Sequence, residues 1–149
     1  MTRPIWVLNG PNLNRLGKRE PEIYGATTLG EVEAMCQAAA GETPVEFRQS
    51  NREYEIIEWV HEAIDAGGAG IIINPAAFTF TSMGIMDALK MFPGPIIELH
   101  ISNIHKREPI YHRSYMSPVV TAVIAGLGAR GYAVAVGAMH DLVADAARA

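Results

Sequence analysis

The chain has 149 residues, 49% hydrophobic and 19% charged, with a formal net charge of -4. This suits a single domain spanning 1–149 with a sizeable buried core, while the acidic balance and scattered basic residues exclude a basic face for nucleic acid. No apolar run reaches the roughly 18 residues that a membrane span needs, and the single cysteine, Cys36, has no internal disulfide partner, which suits a reducing cytoplasm.

The first element is a short apolar run, Ile5–Leu8, fit for a buried strand. A long loop follows from Asn9 to Gly25; its three Gly and two Pro exclude a regular helix, and its three Asn offer amides that donate and accept. Thr27 or Thr28 can cap a helix with Glu31 in its first turn, running to about Ala40 before Gly41 and Pro44 stop it. Val45–Arg48 is a second strand. Ile56, Trp59, Val60, Ala63 and Ile64 then fall on one stripe of a helix that Gly67-Gly68 ends. Gly70–Ile73 is continuously apolar, as in a parallel sheet covered on both faces. Asn74–Thr81 reads as a loop, and Ser82 caps a helix through about Phe92. The fourth strand is Pro95–His100, a polar loop runs to about Pro118, Val119–Ala125 is the fifth strand, and an amphipathic helix spans Ala129–Ala149. Strands interleaved with helices predict an α/β fold, a flavodoxin-like doubly wound three-layer sandwich with a five-stranded parallel sheet.

Ligands of such sheets bind outside the carboxyl ends of the strands, which selects the segments opening at Asn9, Gln49, Asn74, His100 and Gly126. In the first, Arg19 and Tyr24 lie on a long Gly-bounded segment able to close like a lid. A guanidinium beside a phenol favours phenolate, making Tyr24 a candidate base. In the fourth, strand alternation puts Glu98 and His100 on one side, where the carboxylate can orient the imidazole and favour its cationic form. The backbone N–H groups of Ile101 and Ser102, the Ser102 hydroxyl and Asn74 can hold a carboxylate. Gly126-Leu127-Gly128-Ala129-Arg130-Gly131 matches G-x-G-x-x-G but lacks a second βα unit with an acidic residue downstream, so it reads as a strand-to-helix turn. His61, His105, His112 and His140 read as structural or exposed, no histidine pair has convincing metal-ligand spacing, and Cys36 reads as packing. No metal or organic cofactor is expected.

Together these segments resemble the type II dehydroquinases, the 3-dehydroquinate dehydratases of flavodoxin-like fold. The resemblance covers nearly the whole chain. It runs through Asn9–Gly25, Gln49-Ser50-Asn51 with Glu53, Asn74-Pro75, Thr79 with Thr81-Ser82, Asp87-Ala88, His100–Asn103, Arg107-Glu108, Ser114-Tyr115 and Ser117-Pro118. It implies that Tyr24, assisted by Arg19, removes a proton beside the substrate ketone. Asn12 then helps hold a water that stabilises the enolate, and His100, oriented by Glu98, protonates the departing hydroxyl. Asn74, Ile101 and Ser102 grip the ring carboxylate. The resemblance further implies a homo-dodecamer of trimers in which Asp87 reaches a neighbour's site, and it places Arg107 among the substrate-binding residues.

Three departures from the family pattern bear on the substrate. Phe80 stands where the family carries a histidine, Tyr111 where it carries a substrate-binding arginine, and Met86 where an arginine usually precedes the trimer-reaching aspartate. The first two normally bind ring hydroxyls. Losing both hydrogen bonds costs roughly 2–4 kcal/mol, or about 30- to 1000-fold in kcat/KM, which Arg113, two positions away, can partly offset. The expectation is therefore a hydro-lyase that dehydrates 3-dehydroquinate or a less hydroxylated cyclic β-hydroxy-ketone carboxylate. The alternatives are a hydrolase or isomerase passing through an enolate, and a silent binding subunit.

Overall fold

The computed structural model describes residues 3–149. Strands β1 (Ile5–Asn9), β2 (Val45–Gln49), β3 (Gly70–Asn74), β4 (Ile96–His100) and β5 (Ala122–Ala125) form one parallel sheet in the order β2-β1-β3-β4-β5. This is the flavodoxin-like order, with its topological switch between β1 and β3. Every residue of β1, β3 and β4 is buried, as expected where helices cover both faces.

Strand alternation divides the core in two. Ile5, Val7, Ile72, Ile97 and Leu99 pack against α2 (Leu29–Ala40) and α5 (Gly131–Arg148). On the other face, Trp6, Leu8, Ile71, Ile73 and Ile96 meet α3 (Glu53–Asp65) and α4 (Met83–Leu89). Each fully buried aliphatic side chain stabilises the fold by about 1.5–3 kcal/mol relative to an exposed one. Helix α2 starts in a capping box: Thr28 Oγ1 accepts from the Glu31 N–H while Glu31 accepts from the Thr28 N–H.

The structure departs from the sequence reading where local chemistry tightens the chain. The opening loop contains a one-turn helix, α1 (Pro21–Tyr24), because proline at the first helical position is already set for the turn. Ala76–Phe80 is a 3-10 coil rather than open loop. Helix α4 stops at Leu89 because Met91 and Phe92 make i→i+3 bonds ahead of Pro93, which disfavours helix at the residue before it. Residues Ser117–Val119 form a 3-10 turn around Pro118, so β5 begins only at Ala122. Likewise Gly128–Arg130 is a 3-10 turn that delays α5 to Gly131.

Candidate active site

A cavity of about 230 Å³ opens at the carboxyl ends of β1, β3 and β4. That is smaller than the roughly 300–1,000 Å³ of drug-sized sites and suits a molecule of about one ring.

The loop after β1 reaches the cavity by lying against β3. The Gly10 N–H donates to the Asn74 carbonyl at 2.8 Å, and a Cβ on Gly10 would sit 2.2 Å from the Pro75 carbonyl oxygen, so only glycine fits. Asn12 follows in the left-handed conformation at φ 71°, which asparagine tolerates, its N–H donating to Asn51 Oδ1 at 2.9 Å. The lid then carries Arg19 and Tyr24 to the rim, with the Arg19 guanidinium carbon 4.6 Å from the Tyr24 ring centre. Arg19 also pairs with Glu20 at 3.1 Å.

Across the cavity, His100 is buried and its Nε2–H donates to Glu98 Oε2 at 2.5 Å. The expected same-side placement on β4 holds. Glu98 has no exposed surface and also accepts from the Ser117 hydroxyl at 2.6 Å and the Ser114 hydroxyl at 3.0 Å. Burial alone would raise its carboxyl, but the hydrogen bonds from His100, Ser117 and Ser114 outweigh it and hold the group below its ordinary value. Sequence reasoning gave the two serines no role. They arrive because the loop after β4 folds back over β4, tied where the Tyr115 N–H donates to the Thr79 carbonyl at 2.8 Å.

The floor is polar backbone. Ile101 and Ser102 line the cavity, and neither amide donates a hydrogen bond among the described residues. Their chain is held from behind by the glycine turn, where Gly126 N–H donates to the His100 carbonyl at 3.2 Å and Gly128 N–H to the Ile101 carbonyl at 3.0 Å. The G-x-G-x-x-G stretch thus supports the site from outside it. Asn74 is buried at the cavity wall, accepting from the Ala76 N–H at 3.2 Å and donating to the Tyr132 hydroxyl at 2.9 Å.

The remaining wall is aromatic. Phe80 lies 6.4 Å from the His100 ring and meets Tyr111 edge-on at 5.2 Å. Arg107 stacks over Tyr111 at 4.0 Å and stands 5.8 Å from Tyr24. Arg113 is exposed on the loop and is not brought to the cavity, while Asp87 is exposed on α4 outside its own chain's cavity, as a residue expected to reach a neighbour's site would be. Tyr111 lines the cavity where Arg113, two residues along the same loop, does not. Among the described residues no three His, Cys, Asp or Glu side chains converge to hold a metal ion, and no helix is long and apolar enough to cross a membrane.

The family model "Dehydroquinase class II" matches residues 3–140. The chain is 60% identical over 131 residues to 3-dehydroquinate dehydratase 2 of Agrobacterium fabrum, covering 87% of this chain and 88% of that one. It is 55% identical over 132 residues to the 3-dehydroquinate dehydratase of Streptomyces coelicolor, covering 87% and 83%. Among solved structures, the type II dehydroquinase of Propionibacterium acnes superposes with a TM-score of 0.90 at 44% identity, covering 95% and 98%.

Proposed function

The chain belongs to the class II dehydroquinase family, a family of lyases that remove water from 3-dehydroquinate, and on that premise we propose how its cavity performs the elimination. The carrying observation is that Tyr24 and His100 line one ring-sized cavity, each with an ionic partner of opposite sign to the charge its role requires.

Tyr24 acts as the base. Its phenolate, with the Arg19 guanidinium carbon 4.6 Å and that of Arg107 5.8 Å from the ring centre, takes a proton from the carbon beside the ketone. The C–H electron pair moves into the carbonyl as an enolate, and Asn12 with a bound water steadies the oxygen. The enolate then reforms the ketone as the β C–O bond breaks, and His100 delivers its proton so that the hydroxyl leaves as water. Glu98 supports the imidazolium before transfer and keeps the ring aimed. The Ile101 and Ser102 amides, without a hydrogen-bond acceptor among the described residues, bind the ring carboxylate together with the Ser102 hydroxyl and Asn74.

Phe80 and Tyr111, in edge-on contact at 5.2 Å, give the cavity an aromatic wall. We propose that they weaken recognition of ring hydroxyls and favour a less hydroxylated ring, with 3-dehydroquinate turned over at reduced kcat/KM. Asp87, exposed on α4 and outside its own chain's cavity, is free to serve a neighbouring copy in a dodecamer of trimers. Cys36, buried and without a disulfide partner, suits a reducing cytoplasm.

The test is formation of the conjugated enone from 3-dehydroquinate by the purified protein and by Tyr24→Phe. The variant is expected to lose at least about 10²-fold in kcat, and turnover equal to the parent would remove the phenolate from the mechanism.

A further inference from the structure

A buried hydrogen-bond chain runs behind the carboxylate grip, and Tyr132 is its centre. Tyr132 lies on the first turn of α5 with 1% of its surface exposed, between the ends of β1 and β3. Its hydroxyl donates to Asn9 Oδ1 at 2.7 Å and accepts from Asn74 Nδ2 at 2.9 Å. A phenol buried this deeply costs stability unless its hydroxyl is paired. Here both its proton and a lone pair are used.

The direction of the chain follows from its ends. Asn9 Nδ2 donates to the Arg48 carbonyl at 3.0 Å, so Asn9 must present its oxygen to Tyr132. Tyr132 therefore donates toward Asn9 and turns a lone pair toward Asn74. At the other end, Asn74 Oδ1 already accepts from the Ala76 N–H, whose residue is held at φ 53°, a conformation that is costly for alanine. The Asn74 amide is thus held in one of its two flips. One N–H is spent on Tyr132, and the second, with no acceptor among the described residues, belongs to the cavity wall. Burial also pushes the Tyr132 phenol above its ordinary value, which keeps it a neutral donor.

We propose that Tyr132 is a positioning residue for substrate binding: through Asn9 it fixes the flip of Asn74 so that an N–H, rather than a carbonyl oxygen, faces the substrate carboxylate. This rests on the reading of Asn74 as part of the carboxylate grip. A flipped Asn74 would point a lone pair at an anion, so the cost appears in substrate binding rather than in the proton transfers.

The experiment is steady-state kinetics with 3-dehydroquinate on Tyr132→Phe, Asn74→Ala and the double variant, with thermal midpoints for each. Tyr132→Phe is expected to raise KM about 2- to 12-fold, the size of one hydrogen bond, with kcat within about threefold of the parent. In the Asn74→Ala background the same change is expected to leave KM where Asn74→Ala put it. Asn9→Leu, which removes the acceptor at the far end, is expected to raise KM as Tyr132→Phe does, and supplies the test if Tyr132→Phe does not fold. A KM unmoved by Tyr132→Phe while Asn74→Ala raises it overturns the proposal, as does an additive effect in the double variant. If Asn74→Ala itself leaves KM unmoved, the carboxylate reading of Asn74 falls, and this proposal falls with it.

Discussion

Replacing Glu98 with glutamine removes one charge and almost no volume from a site with no exposed surface. The carboxylate accepts from His100 Nε2, the Ser117 hydroxyl and the Ser114 hydroxyl. Glutamine keeps one carbonyl oxygen and points an NH2 at groups that are themselves donating. The serine hydroxyls can rotate to accept, but a protonated imidazole cannot. Hydrogen bonds to a charged group contribute about 1.5–3 kcal/mol each, so the loss of the ionic bond and the strained remainder come to roughly 2–4 kcal/mol. For a chain of this size that lowers Tm by about 5–15 °C. With His100 no longer held as an aimed cation, kcat is expected to fall by about 10²-fold. The pH dependence has a definite sign. The folded-state Glu98 carboxyl titrates below its ordinary value, so its contribution is complete above the unfolded-state value and is lost as pH falls through the folded one. Thermal melts of parent and variant should therefore show a wide Tm gap at neutral pH that narrows as pH drops below 4.5. A gap of equal width at pH 3 and pH 7, or a kcat within threefold of the parent, would refute the account of Glu98 as a buried carboxylate that aims His100.

Phe80→His with Tyr111→Arg is expected to raise kcat/KM for 3-dehydroquinate by about 30- to 1000-fold, the worth of two restored polar contacts at roughly 2–4 kcal/mol; an unchanged value would mean that the aromatic wall does not select the substrate. Gly10→Ala would force a methyl 2.2 Å from the Pro75 carbonyl, so the Asn12 loop must shift, and a misplacement of about 1 Å is expected to lower kcat/KM by about 10²-fold in steady-state assays. Burial pushes the Cys36 thiol up to about 12, so it should resist thiol reagents at pH 8 in the folded protein and react only as denaturant unfolds it, which a colorimetric thiol titration reads directly.

The elements that sequence alone determined are those in which the cause is local. The continuous apolar runs of β1 and β3, the Thr28/Glu31 cap of α2 and the stripe on α3 are each written within a dozen residues, because strand burial, capping and helical period act over that distance. The Glu98–His100 pair was legible for the same reason, since two residues apart on one strand must share a face. Arg19 and Tyr24 line the same cavity as His100, carried there by the loop after β1.

Other features depended on contacts no window of sequence contains. Ser114 and Ser117 reach Glu98 only because a loop with no helical or strand period folds back over β4. Arg113 and Tyr111 differ by two positions, yet one is exposed and the other lines the cavity, because the turn at Pro109–Tyr111 decides which side faces inward. Tyr132 carries no local signal that sets it apart within the closing helix. Its hydroxyl acquired partners only when the sheet order set Asn9 beside Asn74 and α5 crossed their ends. Periodicity specifies which face a residue takes; the partner waiting on that face is chosen by the packing of elements more than a hundred residues apart, as with Asn9 and Tyr132.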